Sequence, residues 1–111
     1  MIRRKFGPAF QGLLDGLAHR SIRVQFILGG CAVIAGALLG LTSGEWIAVI
    51  LCIGLVISIE IMNTAVEFLC DYLTEKADER IRKIKDLSAG AVLAASLAAL
   101  AAAAVILIRH I

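Results

Sequence analysis

The chain has 111 residues, enough for one small domain, and 60% of them are hydrophobic, with a mean hydropathy of +0.93. That composition excludes an ordinary water-soluble domain, and the net charge of +2 gives no footing for nucleic acid. Cys31, Cys52 and Cys70 are spaced for neither a zinc site nor a disulfide framework, so they read as packing residues.

The expected architecture is all-α: one integral-membrane domain over residues 1–111, with an amphipathic surface helix followed by three spanning helices. Arg3-Arg4-Lys5 ahead of apolar sequence resembles a cleaved leader. The first long apolar run starts only near Val24 and no cleavage box follows it, so the whole chain is expected in the mature protein. Over residues 1–20, Phe6, Phe10, Leu13, Leu14 and Leu17 recur at helical spacing against polar Arg3, Lys5, Gln11, Asp15 and His19. A basic amphipathic helix of this kind lies in a membrane interface, or else docks on the bundle from the cytosol. Pro8 marks its start or a kink.

The first span is expected over 24–41. Ala32, Gly36 and Gly40, four apart, allow close helix approach in lipid. Thr42-Ser43-Gly44-Glu45 is a short turn without a basic residue, and Trp46 marks the interface where the second span, 46–70, begins. A charged stretch from Tyr72 to Ile84 follows, expected to continue as helix and then turn. The third span, 87–108, opens after Lys85-Asp86, with Asp86 or Ser88 as its cap. Gly90, Ala94, Ala98 and Ala102 give it another stripe of small residues.

Basic residues set the orientation. Arg3, Arg4, Lys5, Arg20 and Arg23 precede the first span, and Lys76, Arg80, Arg82, Lys83 and Lys85 lie between the second and third. The N-terminus and the 72–86 loop are therefore expected in the cytoplasm. Three helices this short leave little room for a private core, so assembly through the small-residue faces is expected.

One line of residues has no packing explanation. Glu60, Asn63, Glu67 and Asp71 follow at spacings of three, four and four, and so share a narrow helical face. An ionised group at the bilayer centre costs roughly 2.5–3.5 kcal/mol on insertion scales. Glu60 lies about 21 Å beyond Trp46, inside the far half of a core about 30 Å thick, and Glu67 lies near its boundary. The face begins in lipid and ends in water, where Asp71 reads as a solvated helix end.

Carboxylates at a cytoplasmic membrane surface, beside a basic loop, are the parts for phosphoryl transfer from a soluble nucleotide to a lipid hydroxyl. A partly desolvated Glu60 suits a general base, and the wetter Glu67 suits Mg²⁺, which takes one or two carboxylates plus substrate phosphates. No Walker loop, dinucleotide glycine fingerprint or Cys/His metal spacing competes with this reading.

The segments Glu60-Ile-Met-Asn-Thr-Ala-Val-Glu67 and Lys85-Asp86-Leu-Ser-Ala-Gly-Ala-Val92, with Phe10-Gln-Gly-Leu13 on the surface helix, resemble the small prokaryotic diacylglycerol kinases, a family that includes undecaprenol kinases. The likeness covers nearly the whole chain, and the paired motifs are specific where either alone is weak. It implies an ATP- and Mg²⁺-dependent lipid kinase in a bacterial membrane, working as a homotrimer with sites between subunits. It makes Glu60 the catalytic base, Asn63 its neighbour in the active site, Glu67 a metal and nucleotide ligand, and Lys85 and Asp86 nucleotide contacts with Lys85 on phosphate. The positions around Lys76 and Asp78 match a nucleotide-contacting loop whose residues differ here. The chain departs from the family pattern at the end of the surface helix, where a second metal-binding glutamate is usual. Here the sequence reads Ala18-His19-Arg20-Ser21-Ile22-Arg23, with no acid between Asp15 and Glu45. His19 or Asp15 substitutes, or the second metal contact is weaker or missing.

The expected reaction is transfer of the ATP γ-phosphoryl group to diacylglycerol, giving phosphatidic acid, with undecaprenol as the alternative acceptor. A rival of another class is a small oligomeric transporter or proton path through Glu60. Another is a non-catalytic helical assembly subunit, favoured by the small-residue stripes and the missing acid.

Overall fold

A computed structural model describes residues 2–73, 76 and 78–111, with side chains from Phe6 onward. Glu75 of the charged stretch and the side chains of Arg3, Arg4 and Lys5 lie outside the described residues. The chain forms four helices, α1 (Ile2–Gly16), α2 (Arg20–Leu39), α3 (Ser43–Leu73) and α4 (Glu79–His110). Three of them, α2, α3 and α4, are long and apolar enough to cross a membrane.

Pro8 stands inside α1 rather than at its start. The helix ends in a tight turn in which His19 N donates to Gly16 O at 3.0 Å, and α2 begins when Arg23 N reaches His19 O at 3.1 Å. Gly16 is buried where α1 meets the bundle, beside the side chains of Ile22 and Ile61. Ile22 is itself fully buried.

α2 closes on Gly40, whose φ of 71° is left-handed and favours glycine. Gly40 N and Leu41 N both donate to Gly36 O, at 3.0 and 3.4 Å, so freed carbonyls are satisfied at the helix end. α3 then starts with a reciprocal cap. Glu45 N donates to Thr42 Oγ1 at 3.2 Å, while Thr42 N donates to Glu45 Oε1 at 2.9 Å. The Thr-x-x-Glu spacing is the sequence mark of such a box.

The charged stretch differs from the expected 72–86 connection. α3 continues to Leu73 and α4 is already helical from Glu79, so Lys85 and Asp86 sit in its second turn. The expected caps of α4, Asp86 and Ser88, are interior residues. Asp78 caps instead, accepting from Arg80 N at 2.8 Å, and i,i+3 and i,i+4 pairs from Arg82 to Glu79 and Asp86 support the polar turns. At 31 and 32 residues, α3 and α4 are about 46–48 Å long and overrun a roughly 30 Å hydrocarbon core.

α4 packs mainly on α3, and α2 packs on α3 less extensively. Close approach of α2 needs Gly29, where an added Cβ would stand 3.0 Å from Ile53 Cγ2. The interior is small: Ile22, Val56, Cys70 and Ile106 are its buried apolar members among the described residues. Large side chains such as Leu38, Leu87 and Ile108 face outward, and an apolar groove of about 410 Å³ opens between α2, α3 and α4 past Gly29, Ala32, Cys52, Val56 and Ala103. So much outward apolar surface requires lipid or neighbouring helices as its solvent.

Candidate active site

The up-and-down course of the helices puts the start of α2, the end of α3 and the start of α4 at one end of the bundle. The α1–α2 turn joins them there through the Gly16–Ile61 contact. The candidate residues of α3 run from Glu60, near the middle of the helix, toward this end. It is also the charged end, because both polar overruns of α3 and α4 lie there.

Burial within the chain falls along α3 from Glu60 to Glu67. Glu60 is 8% exposed, Asn63 is half-buried and Glu67 is exposed. Thr64 Oγ1 donates to the Glu60 carbonyl at 3.0 Å, which ties this hydroxyl to its own helix. Asn63 Nδ2 lies 3.5 Å from Glu67 Oε1, a long contact that points the amide along the line toward water. Asn63 Oδ1 is buried with no hydrogen-bond partner among the described residues. A buried acceptor left unpaired carries a desolvation cost, which a ligand hydroxyl or amine removes on arrival.

Lys85 comes across from α4 to the same surface. Its Nζ donates to Asp71 Oδ1 at 2.8 Å, and Glu67 and Cys70 lie within electrostatic reach of the ammonium. Asp71 is thus the ion-pair partner of Lys85, not an idle helix end. The signal was its place four residues after Glu67 on the same face, which a purely local reading assigns to solvation. Asp86 takes another direction, about 100° further round the helix, where Arg82 Nη1 donates to its Oδ2 at 3.3 Å.

The two loop candidates stand differently. Lys76 is exposed. The Asp78 carboxylate is engaged as the α4 cap and lies 3.6 Å from the Arg80 guanidinium. The Arg80 backbone N–H and then its side chain hold the Asp78 carboxyl below its ordinary range.

His19 occupies the N-cap position of α2 but makes no side-chain cap bond. Its ring meets Phe68 edge-on, with centroids 5.3 Å apart, which brings it to the α3 turn that carries Glu67. Asp15, the other candidate substitute for the missing acid, accepts from Gln11 Nε2 at 2.9 Å on exposed α1 surface. Among the described residues no three His, Cys, Asp or Glu side chains gather as a metal cage. Mg²⁺ does not require one, since it binds through one or two carboxylates together with substrate phosphates and water. An exposed Glu67 beside a lysine fits an ion that enters with a nucleotide.

At the opposite end of the bundle, His110 Nε2 sits 2.9 Å from Glu45 Oε1. His19 lies at the other end, and the contact of His110 with Glu45, 65 residues apart, carries no local sequence signal.

Comparison with known proteins follows the same lines. The family model for prokaryotic diacylglycerol kinase matches residues 7–107. Undecaprenol kinase of Bacillus subtilis (strain 168) is 43% identical over 63 residues, which is 56% of this chain and 51% of that protein. The match therefore spans about half the length of this curated relative.

Proposed function

The chain belongs to the prokaryotic diacylglycerol kinase family, a membership that with its three apolar helices makes it a bacterial membrane protein, and from that premise we propose that it transfers the γ-phosphoryl group of ATP to the hydroxyl of a membrane lipid. The observation that carries this reading is the gradient on α3, from a buried Glu60 to an exposed Glu67, with Lys85 beside the exposed end.

In this reading Glu60 accepts the proton of the lipid hydroxyl as its oxygen attacks the γ-phosphorus. The bond from the γ-phosphorus to the β,γ-bridging oxygen breaks, leaving ADP and a lipid phosphate. The buried position keeps the base away from the exposed end of the line, at a depth where a hydroxyl in the membrane can reach it. Asn63 orients the acceptor with its unpaired Oδ1. Lys85 meets phosphate oxygens as a point charge, the usual part of a phosphate-binding lysine. Glu67, with His19 as a further donor from the α1–α2 turn, would hold Mg²⁺, which would neutralise charge on the transferred group. Asp86, Lys76 and Asp78 are the remaining nucleotide contacts in this scheme, Asp78 combining that role with its cap.

The acceptor has two readings. Diacylglycerol is the one expected from the sequence. The name of the Bacillus subtilis relative supports the second, undecaprenol. We further propose that α1 lies in the cytoplasmic interface, with exposed Phe6, Phe10 and Leu14 turned to lipid. The N-terminus and the α3–α4 connection would then share the cytoplasmic side. A homotrimer with sites between subunits is supported by the apolar groove and by the exposed small residues Ala32 of α2 and Gly90, Ala94 and Ala98 of α4.

Purified protein in mixed micelles, given labelled ATP with diacylglycerol and undecaprenol in separate reactions, tests the proposal. Label is expected in at least one lipid, and the preferred acceptor identifies the substrate. Label in neither lipid overturns the kinase reading. Glu60-dependent proton flux in liposomes would then favour the transport rival.

A further inference from the structure

Lys85 and Asp86 are adjacent in sequence, yet the fold gives them separate partners. Neighbours on a helix point about 100° apart. Asp86 stays on its own helix with Arg82, whereas Lys85 crosses to α3 and meets Asp71 at 2.8 Å. The anchor on the α3 side is firm, because Cys70, the residue before Asp71, is 1% exposed and fixes the backbone of that turn. Asp71 also continues the face that carries Asn63 and Glu67. A lysine has four rotatable stem bonds and loses much side-chain freedom when it grips an anion. One already held at the mouth of the site has lost that freedom before the nucleotide binds.

We propose that Asp71 is a positioning residue for nucleotide binding: it holds the Lys85 ammonium at the Glu67 end of α3, where the incoming phosphates are met. It acts only through Lys85. The inference rests on the kinase reading for the identity of the ligand, and deepens it by adding a residue to the nucleotide side of the site. Asp71 would share the ammonium with phosphate once ATP is bound, since a lysine has three N–H donors.

The test is a double-mutant cycle read in KM for ATP and, independently of turnover, in equilibrium binding of ATP to the purified protein. Asp71→Ala is expected to raise both constants roughly three- to fivefold, the size that a solvent-exposed ion pair supports, with kcat and KM for the lipid little changed. Asp71→Asn, of the same shape, is expected to show the same defect should the alanine variant fold poorly. Asp71→Glu is expected to recover most of the affinity. In a Lys85→Ala background, Asp71→Ala should add nothing. Unchanged ATP affinity in Asp71→Ala and Asp71→Asn, or an equal effect with and without Lys85, overturns the proposal. A wild-type protein that binds ATP but labels no lipid overturns the kinase reading instead, and the binding constants still decide the role of Asp71.

Discussion

The Nε2 atom of His110 lies 2.9 Å from Oε1 and 3.1 Å from Oε2 of Glu45, joining the first turn of α3 to the last residue of α4 across 65 positions of sequence. The same carboxylate caps α3 through Thr42, so one side chain organises a helix start and a helix–helix contact. His110→Ala leaves that carboxylate without its partner. The thermal midpoint of the detergent-solubilised protein is expected to fall by roughly 4–8 °C, the effect of losing one ordinary hydrogen-bonded pair in a domain of this size. Glu45→Ala should cost more, because the cap goes with the pair. Equal midpoints for wild type and both variants would mean that the contact adds no stability.

Glu60→Gln keeps the shape of the buried side chain and removes its ability to take a proton. Turnover is expected to drop by about 10²–10⁴-fold, the usual contribution of a general base, while helix content and assembly stay unchanged. Near-normal lipid phosphorylation by this variant would remove Glu60 from the role of base.

Glu67 is an exposed acid, so its loss should be felt through the ion rather than through the fold. Glu67→Gln is expected to raise the Mg²⁺ concentration for half-maximal activity on the order of tenfold, since the ion has only one or two protein carboxylates to lose. His19→Ala should shift the same titration if His19 is a second donor. A titration identical to wild type in either variant argues against that residue as a ligand.

Acid should loosen α4 from its N-terminus. The Asp78 carboxyl is held below its ordinary range, first by the Arg80 backbone N–H and then by the Arg80 side chain. A folded-state value below the unfolded one means that the cap is fully stabilising above about pH 4, the ordinary value of an aspartate, and is lost as pH falls through the lower folded value. Amide resonances of Arg80 and Ile81, followed by NMR as pH is lowered, are expected to move with a midpoint below that of an unstructured aspartate. Asp78→Asn should keep the cap and lose the transition, because an asparagine also accepts from the helix N-terminus. A transition that survives in the asparagine variant would belong to another group.

Local pattern and hydropathy by themselves determined that this chain is helical, that three of its helices suit a membrane, and that Glu60, Asn63 and Glu67 share a face. Those properties depend on residues three or four apart, which a sequence displays directly. The paired motifs also carried the family. The Thr42-x-x-Glu45 box was equally legible, but the turn was read only for its lack of basic residues. The structure showed where α4 begins, although the pairs from Arg82 to Glu79 and Asp86 and the cap at Asp78 are local: apolar content alone does not mark such turns. It also decided the partners of Lys85, His19 and His110. Each of these depends on how two helices stand against one another, at separations of 14, 49 and 65 residues. No local period encodes such distances: they are set when small residues such as Gly29 let the helices close and the ends of α2, α3 and α4 are brought level.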